Sequence, residues 1–386
     1  MVYLDYNATT PVDDRVVDLM MDVYRNHPGN ASSRTHLFGE DCRRVVENAR
    51  REIANLAGVD SSEVIFTSGA TESDNIALRG LIEYGRSTHR EHVLISAIEH
   101  KAVINAARAL ERAGFEIEQI PVNQTGAVSL DDVQSRLRKD TLLVSVMHVN
   151  NETGIRQPVR EIGELISAEY PETFFHIDAA QSFGKLVDEV KELTYDLMSV
   201  TAHKMYGPQG IGALILRQRD YVYPPVQPVL FGGGQERGIS PGTQPVALIA
   251  GFGKAAELCS KEWESDCLLE DSIKRSLIGT LDASGVHYEA NGLPDLCAPN
   301  CLNVSFEGVS SEALLIATRQ SLSISNGSAC TSSSYEPSYV LMSMGLGRER
   351  AESAIRLSWG RMSDKRLVSQ SLAELVRAAK DLQGIR

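Results

Sequence analysis

Short apolar runs alternate along this chain with longer stretches in which apolar residues recur every three or four positions. EVIF, HVLISA, TLLVSVM, TFFHID, DLMSV and GALIL have the length and composition of buried strands. KAVINAARALERAG and VREIGELISAEY between them keep the helical period. Such alternation predicts an α/β fold: a mostly parallel sheet with helices on both faces. After FGGGQERGISPGTQP the rhythm changes, and a long helix is expected from about Val246, followed by strand-like CLNVSF, LSIS and IRLSW in a smaller α+β unit. The expected division is a large domain over residues 16–257 and a small one built from residues 1–15 and 258–386. No internal repeat or low-complexity segment stands out.

The ends of the predicted strands carry the candidate chemistry. In EVIFTSGATESDNIALRGLIEYG a strand meets a tight turn at Ser68-Gly69-Ala70-Thr71 and then a helix with Ile76, Leu78, Leu81 and Ile82 on one side. Glycine lets the backbone approach an anion, and free amides at the helix start, with the Thr71 hydroxyl, point at it. By itself this reads equally as a strand-to-helix connection whose Ser and Thr cap the helix. Lys204 in TAHKMYGPQG follows another strand, and Asp178 ends the strand of FFHIDAAQ. A lysine beside a strand-end carboxylate is what pyridoxal phosphate requires: an amine for the cofactor aldehyde, and a carboxylate that keeps the pyridine nitrogen protonated.

Further residues fit the same crevice. His100 in ISAIEHKAV can stack on a planar ring and move protons, although a lone histidine is commonly structural. Asn151 in VMHVNNETG and Gln181 in DAAQ also sit at strand ends, the usual ligand crevice of an open α/β sheet. Cys330 lies in SISNGSACTSSSYEPSYVL, where Gly, Ser, Thr and Asn dominate, so a loop over about residues 323–337 is expected to carry a reactive thiol. Cys42, Cys259 and Cys267 fall in helical patterns. Cys297 and Cys301 are close enough for a metal pair but lack two further ligands, so no metal is expected.

With 386 residues and 42% hydrophobic content the chain can bury a large core. A net charge of -13 disfavours direct nucleic-acid binding, which depends on basic patches. The start at VYLDY lacks a basic, hydrophobic leader, no apolar run approaches a membrane span, and the six cysteines have no framework spacing. A cytoplasmic, reducing location without disulfides is expected.

YLDYNATTPVD, TSGATESDN, EHKAV, HVNNETG, HIDAAQSFGK, TAHKMYGPQGIGALIL, FGGGQERG, Gly242-Thr243 before Pro245, NGSACTSSSYEPSYVL and AIRLSWGR occur in the order of a cysteine desulfurase of the NifS/IscS type, which the chain resembles to about residue 365. The resemblance implies a homodimeric fold-type-I pyridoxal phosphate enzyme that converts L-cysteine to L-alanine, keeps the sulfur as a persulfide on its own cysteine and hands it to an acceptor protein. It gives Lys204 the cofactor aldehyde, Asp178 the pyridinium, His100 the ring face, Ala70, Thr71, Thr201 and His203 the phosphate, Asn151 and Gln181 the ring contacts, and Thr243 the neighbouring subunit's phosphate. Arg356, with Asn151, would take the substrate carboxylate, and Cys330 would be the nucleophile. The N-terminal YLDYNATTPVD is expected to pack on the small domain or at the site entrance.

Three departures stand out. Ala31 replaces a proline in GNASSRTH, Gln235 follows the three glycines, and Ser240-Pro241 precedes Gly242-Thr243. GNASSRTH together with Gln235 is similar to desulfurases serving DNA phosphorothioation, and an end about thirty residues beyond Arg356 is expected to disfavour an iron-sulfur scaffold docked through an extended tail; iron-sulfur assembly and tRNA thiolation are the other destinations. Selenocysteine lyases and aminotransferases share the fold and the lysine, but an aminotransferase needs no loop cysteine. A dinucleotide-binding module would need a GxGxxG after the first strand, which is absent, and would leave Lys204, Asp178 and Cys330 without a purpose.

Overall fold

The computed structural model describes residues 1–326 and 336–385. The strands in these residues are β1 (Val2–Tyr3), β2 (Val64–Thr67), β3 (His92–Ser96), β4 (Glu116–Ile120), β5 (Thr141–Ser145), β6 (Phe174–Asp178), β7 (Leu197–Thr201), β8 (Gly212–Leu216), β9 (Tyr288–Ala290), β10 (Cys301–Phe306), β11 (Leu322–Ser323) and β12 (Ala354–Ser358). Seven of them form one sheet in the order β2-β8-β7-β6-β5-β3-β4. Pairing is parallel from β7 through β4, whereas β8 runs antiparallel to both β7 and β2. The sheet is therefore mostly parallel.

Every residue of β2, β3, β5, β7 and β8 is buried, as expected where helices cover both faces. One face packs on Phe175, Ile177, Met198 and Ile215, the other on Ile65, Val93, Ile95 and Leu214. Strands β3, β5, β6 and β7 point the same way. Their C-terminal ends deliver residues 97–100, 146–151, 178–181 and 201–204 to a single edge, which is where the site lies.

The helix Val246–Ser284 spans 39 residues, and the expected boundary near residue 257 falls inside it. Its first half packs with the large sheet through Ile249, Phe252 and Ala256. Its second half joins a separate core through Ile273, Leu277 and Leu281, against Val304 and Phe306 of β10, Ile355 and Leu357 of β12, and Trp359. Strands β12, β10 and β9 make the antiparallel sheet of that core, and β1 pairs in parallel with β11 beside it. Leu4 is buried there, so the chain's first segment packs against its last quarter.

Two local features differ from the sequence reading. The helix expected to run on from Thr71 is split into Ala70–Arg79 and Ile82–Thr88. At Gly80 between them the Gln227 amide donates to the Gly80 carbonyl at 2.8 Å, and a Cβ there would lie 2.4 Å from the Ile76 carbonyl oxygen and 2.8 Å from that of Gln227. Strand β4 is the other feature. Its EIEQI sequence sets Ile117 and Ile120 among polar residues rather than forming an apolar run, because it sits at the sheet edge with Glu116 and Gln119 exposed. Among the described residues no helix is long and apolar enough to cross a membrane.

Candidate active site

A cavity of about 590 Å³ opens at the C-terminal edge of the parallel strands. Lys204, Asp178, His100, Asn151, Gln181, Thr201, His203, Ala70 and Thr71 all line it. Lys204 ends a one-turn 3-10 segment, Ala202–Lys204, directly after β7. Asp178 ends the adjacent β6, where Asp178 stands opposite Ser199, and its Oδ1 accepts the Ala180 amide at 2.9 Å. Burial lowers the Lys204 amine from its ordinary value to about 8, against the opposing pull of the Asp178 carboxylate.

The phosphate candidate is the start of the helix Ala70–Arg79. Its N-cap Gly69 has φ 152° and supplies no side-chain cap, so amides there are not taken up by a capping side chain. Gly69 packs against Gly212, whose added Cβ would meet the Gly69 Cα at 2.7 Å. Ser68 donates its amide and its hydroxyl to Glu72 Oε2, each at 2.7 Å, and Ser240 donates to Glu72 Oε1 at 2.8 Å. Glu72 thereby ties the turn to the glycine-rich connector.

His100 caps the helix Lys101–Arg112, its Nδ1 accepting the Ala102 amide at 3.2 Å, so the neutral ring carries its proton on Nε2. Burial lowers its pKa, which favours that neutral form. His203 is pushed down to about 4 by burial, and its Nδ1 lies 3.2 Å from Thr9 Oγ1. Behind Asp178 the strand alternation places His176 on the same face, with Nδ1 2.9 Å from Ser145 Oγ and Nε2 3.0 Å from Ser199 Oγ. Burial drives His176 to about 3, so its 3.6 Å approach to Asp74 joins a neutral ring to a carboxyl group. Asp74 and Glu99 are pushed well above the carboxylate range by burial first and by the Asp178 charge second.

Two of the described candidates lie off this cavity. Thr243 is exposed on the connector before the helix Val246–Ser284. Arg356 is buried in β12, where its Nη1 donates to the Asn151 carbonyl at 2.7 Å and its Nη2 to Asp5 Oδ1 at 2.5 Å. Cys330 lies outside the described residues.

The N-terminal motif contributes more than the sequence reading assigned to it. Ala8 and Thr9 line the cavity. Asn7 forms a buried knot: its carbonyl accepts Gln181 Nε2 at 2.9 Å, its Nδ2 donates to the Asn151 carbonyl at 3.3 Å and its amide to Ser358 Oγ at 2.9 Å. The three departures are all structurally occupied. Ala31 is buried, Gln235 Oε1 accepts the Gly242 amide at 3.2 Å, and Ser240 holds Glu72. Cys301 is buried and Cys297 half-buried beside Gly154, and burial raises both thiols.

The cavity fits pyridoxal phosphate. Asn151 Oδ1 and Gln181 Oε1 are buried on its wall without a partner among the described residues, the helix start offers amides to an anion, and Lys204 has an amine that is easily deprotonated. When bound, the cofactor would supply an electron-accepting ring.

Residues 2–370 match the aminotransferase class-V family. A Saccharomyces cerevisiae mitochondrial cysteine desulfurase is 44% identical over 98% of this chain and 74% of its own. A solved NifS-like protein superposes with a TM-score of 0.89 at 33% identity, covering 97% of this chain and 98% of that one. SspA, solved in complex with cysteine, gives a TM-score of 0.80 at 32% identity over 94% of this chain and 100% of its own. Matched over nearly its whole length by these relatives, the chain belongs to the pyridoxal phosphate-dependent class-V aminotransferases, and within them to the cysteine desulfurases.

Proposed function

We propose that this protein converts L-cysteine to L-alanine, holding the sulfur as a persulfide on Cys330 and passing it to the thiol of a separate acceptor protein. The observation that carries this reading is the convergence of Lys204, Asp178 and an uncapped helix start on one cavity. Lys204 would anchor the cofactor, Asp178 face its ring nitrogen, and His100 cover the ring. Ala70, Thr71, Thr201 and His203 would hold the phosphate, and Asn151 and Gln181 the ring substituents. Arg356 would pair with the substrate carboxylate, since its planar fork matches two carboxylate oxygens. In the sulfur step the Cys330 thiolate bonds to the substrate sulfur as the carbon–sulfur bond breaks. The electron pair of that bond stays with carbon, which takes up a proton and leaves as alanine.

Thr243 would reach the phosphate site of a second copy, making the enzyme a homodimer of two-domain subunits with residues 16–257 in the large domain. Thr243 is exposed on its connector, in keeping with such a reach. A cytoplasmic setting belongs to the same reading, and a protein acceptor, rather than nucleic acid itself, agrees with the net charge of -13. DNA phosphorothioation, iron-sulfur assembly and tRNA thiolation are the routes such an acceptor would serve.

The test is Cys330→Ala. The variant should purify yellow, with the cofactor on Lys204 by borohydride reduction and peptide mapping, yet release neither alanine nor sulfide from cysteine with reductant present. Wild-type turnover would overturn the persulfide assignment, and a label on another lysine would overturn the anchor.

A further inference from the structure

Asp5, the first of the two acids in YLDYNATTPVD, gains a task from its position. Asp5 sits just past β1, joined to Ser358 of β12 by an isolated bridge, and its carboxylate reaches Arg356 two residues back along that strand. The Arg356 side chain is 7% exposed and that of Asp5 23%, so the arginine is fixed within the protein while the acid stands at its outer side. Two of the arginine's directions are taken, Nη1 by the Asn151 carbonyl and Nη2 by Asp5. Its Nε is buried and finds no acceptor among the described residues.

The guanidinium thus presents an edge formed by Nε and Nη2, with one donor idle and the other held by a carboxylate that solvent can reach. A carboxylate docking on that edge by two parallel hydrogen bonds would satisfy Nε and would bring a second negative charge against Asp5 at Nη2, so the two compete for it. A buried arginine with no counter-charge is costly, which gives Asp5 a purpose in the empty site. Building on the proposed role of Arg356, we infer that Asp5 is a placeholder for the substrate carboxylate: it pairs with Arg356 while the site is empty and yields its hydrogen bond when the amino acid enters.

Such a competitor weakens apparent substrate affinity by the fraction of molecules in which the arginine is engaged. The exchange replaces one carboxylate by another and leaves the arginine paired throughout, so the penalty amounts to between about twofold and tenfold. Asp5→Asn keeps the shape and an acceptor oxygen but removes the charge. On the cofactor-loaded dimer it should lower KM for cysteine, and the inhibition constant of the product alanine, by about two- to tenfold, with kcat within about twofold of the parent. Asp5→Glu should return both constants towards the parent values. Asp5→Ser, which removes the carboxylate in a smaller side chain, should repeat the Asn result and serves if Asp5→Asn does not fold.

Unchanged or raised KM and alanine constants in Asp5→Asn or Asp5→Ser would overturn the placeholder. Arg356→Gln separates this inference from the reading beneath it. If that variant raises KM while the Asp5 variants do not lower it, only the placeholder fails. If Arg356→Gln leaves KM unchanged, the carboxylate assignment itself falls, and the placeholder with it.

Discussion

At the scale of single residues, the surroundings of Lys204 suit the cofactor-anchoring role proposed for it. A free lysine amine is almost wholly protonated at neutral pH, and only the neutral form can attack an aldehyde. Burial lowers Lys204 to about 8, so a substantial neutral fraction exists near physiological pH. The sign follows directly: below about 8 the amine is increasingly protonated and cofactor capture slows, while above it the rate levels off. Cofactor-free protein mixed with pyridoxal phosphate should show an absorbance change whose rate rises with pH about a midpoint near 8; a midpoint near 10.5 would contradict it. The lysine's place on the cavity was legible in the sequence because TAHK follows an apolar run, as that of Asp178 was because it closes another. Asp5 and Glu72 were not assigned roles, since each acts on residues far away in sequence: Asp5 on Arg356, Glu72 on Ser240. A single chain of letters carries no trace of such pairings.

At the scale of elements, the glycine-rich connector depends on a buried ion pair. Glu236 and Arg237 both adopt left-handed backbone, with φ 47° and 57°, a region that side chains rarely occupy. Arg50, on the helix Leu37–Ala57, grips the Glu236 carboxylate with two bonds of 2.8 Å, and the Phe66 amide of β2 donates to it at 2.8 Å. Both side chains are well buried, at 11% and 3% exposure. Arg50→Ala leaves that carboxylate without its counter-charge and should cost about 3–5 kcal/mol in denaturant unfolding of the cofactor-free protein, with Arg50→Lys recovering part of it. A loss below about 1 kcal/mol would mean the connector does not rely on the pair. The apolar strands β2, β3 and β5 to β8 were readable because each is a buried run bounded by polar residues, whereas β4 and the break at Gly80 were not. An edge strand is under no pressure to be apolar. The helix stops at Gly80 because a segment some 147 positions further on, at Gln227, packs against that backbone.

At the scale of the whole molecule, large apolar side chains lie open to solvent at two places. Leu230 and Phe231, immediately before the three glycines, are 58% and 89% exposed, and Leu37 and Phe38 at the head of the helix Leu37–Ala57 are 75% and 58% exposed. Scattered exposed leucines are ordinary, but a pair of apolar residues at each of two turns favours burial against another molecule. Two-fold symmetric association of identical chains is the commonest way to achieve that, and it would carry the exposed Thr243 towards the other copy. Light scattering should give twice the chain mass of 42.2 kDa. Phe231→Asp, which places a charge where the proposed contact is apolar, should shift the equilibrium to single chains at micromolar concentration. It should also weaken cofactor retention, because each phosphate site would lose the threonine of its neighbour. The measurement pairs sedimentation with cofactor absorbance after gel filtration. Single chains that keep their cofactor as tightly as the parent would show that Thr243 serves no second site, and a dimer undisturbed by the charge would place the interface elsewhere.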